Sequence, residues 1–332
     1  MEEKNKFIIV SGYGWSGSSV VIDYLKEFEN TFVPDIEFRL IKDPYGLYEL
    51  EQSLIHNWDY INSNYAILDF LWLCKKCAYT RKSIFSPMGL GYETKLNPEF
   101  IKISEKYVSS ISSFKYRSSS IISKFKKKTG PFVVQRCMDA LYRKTGGVIG
   151  KEDKGSISYF STISEEKFLS NTQKYLEDVF KPFFSEDKIV VLDQAISPLH
   201  IDCLKYFTNA KMIIVDRNPA DIYTDLIKSK GLIGRELAST RNPDIYVQWH
   251  NAIRSQKVNN NNILYLNFED MVLKYDETCK KLKDFIEWDL GNHISPKQFF
   301  NPSISKNNVN FGICDACSEE EYKYVINNVN AY

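Results

Sequence analysis

A short apolar run followed directly by a glycine- and serine-rich turn opens the chain and limits the folds open to it. Residues Phe7–Val10 form an uninterrupted apolar run, which is typical of a strand buried on both faces of a sheet. The turn spans residues 12–19, with the sequence GYGWSGSS, and apolar residues at helical spacing follow over 18–28. A strand, a tight turn and a helix in this order predict the first unit of an α/β fold.

Further apolar runs later in the chain extend this pattern. They are Ile189–Leu192, Met212–Val215 and Ile263–Leu266. Helical patterns lie between and after them, at 198–207, 219–228 and 271–286. The segment 50–185 differs, since it is rich in Tyr, Phe, Lys and Ser and its patterns are mostly helical. The sequence therefore predicts one domain over 1–332, with a mostly parallel P-loop-like sheet flanked by helices and a large, mainly helical insertion at 50–185.

Charge and composition narrow the class of protein. The chain has 332 residues and a net charge of +1, so charge alone does not indicate a nucleic-acid partner. The charge is uneven, because residues 101–151 carry 12 Lys or Arg and two acids. No segment approaches the ~20 apolar residues that span a bilayer. The first apolar run is too short for a signal peptide, and seven cysteines without a regular framework suit a reducing compartment. We expect a cytoplasmic protein.

The turn after the first strand has the frame of a phosphate-binding loop, G-x-x-x-x-G-x-[ST]. Glycines let successive backbone N–H groups converge on one anion, and serine hydroxyls add donors. The predicted nucleotide-binding residues here are Gly14, Trp15, Ser16, Gly17, Ser18 and Ser19. The alternative is a turn that only caps the helix. Ser18 stands where a Walker-type loop has the lysine that reaches the β- and γ-phosphates, so phosphoryl transfer from a nucleoside triphosphate is disfavoured.

A strand, a Ser-Gly-[Ser/Thr] loop and a helix resemble the 5′-phosphosulfate loop of sulfotransferases that use 3′-phosphoadenosine 5′-phosphosulfate (PAPS). In that family a Lys or Arg usually precedes Ser-Gly, whereas this chain has Trp15. The resemblance implies that another cation takes over, and Lys42, Arg39 and Lys306 are the candidates.

A second motif, at 209–223, resembles the family's 3′-phosphate motif, in which a buried strand ends in Arg-[Asn/Asp]-Pro-x-Asp. The resemblance implies that Arg217 binds the 3′-phosphate with its planar fork of donors. The family usually has a serine eight residues after the arginine, and Asp225 is at that position here. A carboxylate beside a phosphate is unfavourable, so Thr224 or Ser229 would replace the serine. The alternative is a strand–helix junction with an arginine salt bridge.

The resemblance covers about 1–45 and 187–290, and a weaker similarity extends over 303–312. In the family a final loop with Lys and Gly closes over the 3′-phosphate. The resemblance implies that this loop contacts the 3′-phosphate, and Lys306, Asn307 and Asn310 are the candidates here.

The segment 33–41 resembles the second strand of tyrosylprotein sulfotransferases, where a Glu followed two residues later by an Arg faces the phosphosulfate loop. The resemblance implies that Glu37 is the catalytic base and Arg39 a neighbouring charge. Residues two apart on a strand share a face, so both would point into one cleft. The alternative is an exposed strand end with a surface ion pair.

Together these residues predict a sulfotransferase that moves a sulfuryl group from PAPS to a hydroxyl acceptor without a metal, leaving adenosine 3′,5′-bisphosphate. A carbohydrate is the expected acceptor, because the large, aromatic and basic middle segment suits an extended, anionic glycan. A solvated helix face is the alternative for that basic segment, and no recognition motif for nucleic acid is present.

Other functions remain open. A kinase or other nucleotide-dependent transferase on the same fold would use Asp193 and Asp216 for Mg²⁺ but lacks the loop lysine. The chain could also be a non-catalytic relative that binds nucleotide. Trp15 and Asp225 would then mark the loss of the catalytic motifs. Two Cys-x-x-Cys pairs, Cys74/Cys77 and Cys314/Cys317, are far apart in sequence, and the first lies in a predicted buried helix, so a zinc site is disfavoured.

Overall fold

A computed structural model of the chain describes residues 5–80, 89–118, 129–149, 155–184, 188–229, 242–258, 260–310 and 317–330. The strands in these ranges are β1 (Phe7–Gly12), β2 (Thr31–Phe32), β3 (Phe114–Ser118), β4 (Ser156–Phe160), β5 (Ile189–Asp193), β6 (Ala210–Asp216) and β7 (Ile263–Asn267). The α-helices are α1 (Ser19–Leu25), α2 (Leu47–Glu51), α3 (Tyr60–Ala78), α4 (Tyr92–Lys95), α5 (Phe100–Ile111), α6 (Thr129–Lys144), α7 (Glu165–Phe180), α8 (Pro219–Ser229), α9 (Pro243–Arg254), α10 (Phe268–Leu273), α11 (Tyr275–Ile286), α12 (Pro302–Ser305) and α13 (Glu319–Asn328). Shorter helical turns are Gln52–His56, Lys181–Phe183, Ile201–Tyr206 and Lys306–Asn308.

Five strands form one parallel sheet in the order β2-β5-β1-β6-β7. The four apolar runs of the sequence correspond to β1, β5, β6 and β7, so the predicted α/β fold with a mostly parallel sheet is confirmed. The central strand β1 is buried along its whole length, as a strand covered on both faces must be.

The side chains of β1 alternate between two apolar clusters. Phe7 and Ile9 face one cluster, which includes Phe180 of α7, whereas Ile8 and Val10 face the other, which includes Val21 of α1. Burying each such side chain contributes about 1.5–3 kcal/mol. These two clusters hold the end of β1 in place between its neighbours.

The chain between β2 and β5 is mainly helical where it is described, as the sequence predicts. Helices α3, α5 and α7 contribute to the same apolar cluster as Phe7 and Ile9 of the sheet. The segment also contains an antiparallel hairpin, in which β3 pairs with β4. The hairpin was not predicted, because exposed residues dominate β3 and leave no buried face to recognise.

The prediction of a strand at 33–41 is wrong. The ladder of β2 ends at Phe32, and beyond it only Glu37 makes an isolated parallel bridge, to Asp193. Pro34 removes one backbone donor. The hydroxyl of Tyr92 also replaces ladder partners, because it accepts from the backbone N–H of Arg39 at 2.8 Å and donates to the carbonyl of Glu37 at 2.9 Å.

The helix predicted at 198–207 is a shorter 3₁₀ turn, Ile201–Tyr206. Among the helices that the structure describes, none is long and apolar enough to cross a membrane.

Candidate functional site

The phosphate-type loop lies at the carboxyl end of the central strand. Residues 13–18 connect β1 to α1, and β1 has a parallel neighbour on either side, β5 and β6. The crevice outside the carboxyl ends of such strands is where open α/β sheets bind ligands. Three loop residues have positive φ angles: Gly14 at 80°, Trp15 at 56° and Gly17 at 76°. The loop is therefore tightly curled, as a backbone cradle for an anion requires.

One loop side chain has a buried polar atom that makes no hydrogen bond with the described residues. Ser16 is 1% exposed, and its Oγ has no hydrogen-bond partner among the described residues. The nearby hydroxyl of Ser11 instead donates to the carbonyl of Ile196 at 2.7 Å. A buried hydroxyl without a partner is unfavourable by about 1–3 kcal/mol.

A lysine reaches the loop through a glutamine. Lys42 Nζ donates to Gln194 Oε1 at 3.2 Å, and Gln194 Nε2 donates to Ser18 Oγ at 2.9 Å. Burial, together with the nearby charge of Arg39, lowers the pKa of Lys42. Of the three cations considered as replacements at the Trp15 position, Lys42 is the one that these hydrogen bonds connect to the loop.

Two carboxylates lie on the β5 side of the loop. Asp193, the last residue of β5, pairs with Val10 of β1, and its carbonyl accepts from the N–H of Phe38 at 3.2 Å. Burial and the neighbouring Glu37 raise the pKa of Asp193 to about 6. The acidic pair Glu37 and Asp193 thus lies beside Lys42 at the edge of the crevice.

Glu37 and Arg39 form an ion pair, although no strand carries them. Arg39 Nη1 is 2.6 Å from Glu37 Oε2, and Arg39 Nε is 2.6 Å from Asp43 Oδ2. Desolvation opposes the charge on Arg39, but the hydrogen bonds and charges of Asp43 and Glu37 outweigh it and raise the pKa of the guanidinium. The side chain of Glu37 is 37% exposed, so it is open to solvent.

Arg217 lies on the β6 side of the loop and contacts three separate segments. Its Nη1 is 2.6 Å from Asp225 Oδ2 and 3.4 Å from the Trp15 carbonyl, and its Nη2 is 2.6 Å from the Asn308 carbonyl. The guanidinium also lies over the ring of Phe268, 4.9 Å from its centroid. The side chain is 5% exposed. Arg217 is therefore beside the loop and pairs with the Asp225 carboxylate.

The other residues predicted to contact the 3′-phosphate lie in different environments. Thr224 is fully buried, and its hydroxyl donates to the carbonyl of Ala220 within α8. Lys306 is exposed on the turn whose Asn308 carbonyl meets Arg217. The side chain of Ser229 lies outside the described residues.

The aspartate that ends β6 is held by a second arginine. Arg254 Nε and Nη2 donate to Asp216 at 2.9 and 2.7 Å, and the guanidinium lies over the ring of Tyr13 at 4.4 Å. A bidentate pair of this kind leaves Asp216 poorly placed to serve as a Mg²⁺ ligand.

The structure describes only part of the two Cys-x-x-Cys pairs and of the basic stretch at 101–151. Cys74 and Cys77 are buried in α3, so the predicted helix is confirmed and the face that carries these cysteines is buried. Cys314 lies outside the described residues. The lysines at 124 and 126–128, four of the twelve basic residues in the basic stretch, also lie outside them.

Sequence reasoning missed three parts of this site. Gln194 directly follows β5, and only its positive φ of 54° and its hydrogen bonds show that it links Lys42 to the loop. Phe268 and Asn308 approach Arg217 from segments distant in sequence. The position of Phe268 directly after β7 was the signal available, because residues at the carboxyl ends of parallel strands converge.

The chain matches no protein-family model and no curated protein sequence. Three solved structures similar to it are sulfotransferases. The sulfotransferase domain of the Synechococcus PCC 7002 olefin synthase is 12% identical with a TM-score of 0.41, over 98% of this chain and 96% of that one. The sulfotransferase domain from the curacin biosynthetic pathway is 13% identical with a TM-score of 0.42, over 98% and 96%. A sulfotransferase from Mycobacterium avium is 11% identical with a TM-score of 0.34, over 88% and 66%. Identities and TM-scores this low leave the function to be argued from the site itself.

Proposed function

We propose that this chain is a sulfotransferase, which transfers a sulfuryl group from an adenosine phosphosulfate to a hydroxyl of an acceptor. The observation that carries the proposal is the tightly curled loop at the carboxyl end of β1, with the buried, unpartnered hydroxyl of Ser16 and the Lys42–Gln194–Ser18 chain beside it. These groups suit an oxyanion better than any neutral ligand. PAPS is the donor that the sequence resemblance implies.

The loop residues Gly14 to Ser19 would hold the phosphosulfate through backbone N–H groups and hydroxyls. Lys42 lies one side chain away from Ser18 and would supply the positive charge that the loop itself lacks. When bound, the donor supplies the sulfuryl group and a nucleotide leaving group, so the chain has to orient it and balance its charge.

Glu37 is the proposed base, which takes the proton of the acceptor hydroxyl as its oxygen attacks sulfur in line. Arg39, held between Glu37 and Asp43, would fix the orientation of that carboxylate. The pKa of Asp193 is raised to about 6, so this carboxyl is still mostly ionised beside Glu37 at pH 7 and takes up a proton only in mildly acidic solution.

The proposed acceptor is a carbohydrate. Support comes from exposed aromatic side chains on the mainly helical segment and its hairpin, since aromatic rings provide flat apolar faces for extended ligands. Trp58, Trp72, Phe114 and Tyr116 are examples.

The test is transfer of a labelled sulfuryl group to a panel of glycans and simple alcohols, with PAPS and adenosine 5′-phosphosulfate as donors. Transfer from either donor, lost when Glu37 is replaced by Gln, is the expected result. The two alternatives predict other outcomes. A kinase would transfer phosphate from ATP in the presence of Mg²⁺, and a non-catalytic relative would bind nucleotide without turnover on any acceptor.

A further inference from the structure

A cavity adjoins the phosphate-type loop on the Arg217 side. It has a volume of about 380 Å³ and is lined by Gly17 and Ser19 at one end and by Arg217, Asp225 and Asn308 at the other. A nucleotide whose 5′ end lies in the loop would place its ribose here, because this cavity contacts both the loop and Arg217, the residue directly after β6. The volume lies in the range of small-ligand sites.

The charges that line the cavity are already balanced. The charged side chains among its described lining residues are Asp23, Asp225, Arg217 and Lys297, two acids and two bases. Arg217 Nη1 is 2.6 Å from Asp225 Oδ2, and Arg217 Nη2 is 2.6 Å from a backbone carbonyl. Asp225 thus occupies the position beside the guanidinium that a phosphate on the ribose would need.

A second phosphate on the nucleotide would bring about −1.5 to −2 charges into this cavity at neutral pH. It would meet the Asp225 carboxylate at close range, and it would compete with that carboxylate for a guanidinium that is 5% exposed. Free ribose hydroxyls would instead donate to the carboxylate. Nucleotide-binding proteins use the same distinction, since a carboxylate accepts from ribose hydroxyls and an arginine accommodates a ribose phosphate.

We infer that Asp225 selects a nucleotide with free ribose hydroxyls, so that the donor is adenosine 5′-phosphosulfate and a 3′-phosphate is disfavoured. This inference rests on the proposed function, and it narrows the choice of sulfuryl donor to one nucleotide. It also assigns a positive role to a residue that departs from the sulfotransferase pattern.

Isothermal titration calorimetry with adenosine 5′-phosphate and adenosine 3′,5′-bisphosphate tests the inference on the full chain. The wild-type protein should bind the monophosphate at least about tenfold more tightly, because one pair of like charges at short range exceeds the energy of a tenfold change. In Asp225→Asn the affinity for the bisphosphate, relative to that for the monophosphate, should rise at least about tenfold. Asp23→Asn is the matched control, since Asp23 lines the same cavity but pairs with Lys26 at 3.0 Å, and it should leave the ratio nearly unchanged.

A wild-type protein that binds the bisphosphate as tightly as the monophosphate, or more tightly, overturns the inference, and this comparison holds even if a variant fails to fold. An equal change of the ratio in Asp23→Asn overturns the assignment to Asp225. Transfer from PAPS in preference to adenosine 5′-phosphosulfate would remove the inference and leave the proposed function intact. Failure of the folded protein and its variants to bind either nucleotide would remove both.

Discussion

Gly17 and Gly14 provide a matched pair of substitutions for testing the loop. Both have left-handed backbone angles, with φ of 76° and 80°, so alanine at either position meets the same backbone strain of about 1–2 kcal/mol. Alanine also restricts the unfolded chain equally at both, and that contribution cancels in the comparison. The surroundings differ. A Cβ on Gly17 would lie 2.5 Å from Cδ2 of Phe268, whereas a Cβ on Gly14 has nothing within 4 Å.

We therefore expect Gly17→Ala to lower the free energy of unfolding by about 1–3 kcal/mol more than Gly14→Ala, the usual range for overpacking. Phe268 cannot move freely, because it is 4% exposed and lies beneath the Arg217 guanidinium. Urea unfolding measures both variants, with an unchanged slope as the check that the transition is comparable. Gly17→Ala should also weaken nucleotide binding more than Gly14→Ala does.

Equal destabilisation by the two alanines would refute this reasoning, because only the steric contact distinguishes them. The double variant Gly17→Ala/Phe268→Leu adds a second test. If the clash is the cause, the smaller side chain relieves part of it, and the two changes destabilise by less than the sum of their separate effects.

Three other substitutions test the charges around the loop. Glu37→Gln should leave donor affinity nearly unchanged and lower the transfer rate by about 10²–10⁴-fold in single-turnover assays, and a wild-type rate would assign the base elsewhere. Lys42→Met should weaken donor binding by about 1.5–3 kcal/mol in calorimetry, and a larger loss in Lys306→Met would make Lys306 the compensating cation. The pKa of Asp193 is raised to about 6, so the fold retains a proton that the unfolded chain releases, and the stabilisation this gives at low pH is lost as pH rises through about 6. Asp193→Asn should consequently be more stable than wild type by about 1–3 kcal/mol at pH 8 and by less at pH 4, and urea unfolding that shows a pH-independent difference would contradict this.

The sheet could be predicted because its strands are unbroken apolar runs, such as Phe7–Val10 and Met212–Val215. Such runs have few stable arrangements other than burial on both faces. The segment 33–41 lacks this simplicity. Its backbone finds a partner in the Tyr92 hydroxyl, which is more than fifty residues away in sequence, so no local pattern could show that the strand ends.

Motifs in the sequence name candidate residues for the site, but they do not give the contacts between those residues. The loop and Arg217 follow from motifs that are continuous in sequence. Gln194 could not be assigned as a link between Lys42 and Ser18, because its role depends on a left-handed backbone angle at the end of β5. Likewise, the sequence shows an acid at 225, and only the 2.6 Å distance shows that it pairs with Arg217.

The contacts of Arg217 explain why one motif at a strand end can matter for the whole site. Its guanidinium joins the Trp15 carbonyl, the Asp225 carboxylate and the Asn308 carbonyl, which belong to the loop, to α8 and to the turn after α12. A lysine could not replace it, because a single ammonium lacks the planar fork that reaches several acceptors at once while lying flat on the ring of Phe268. The same side chain therefore connects the loop to the neighbouring cavity, so the loop geometry and the nucleotide preference proposed for Asp225 both involve this arginine.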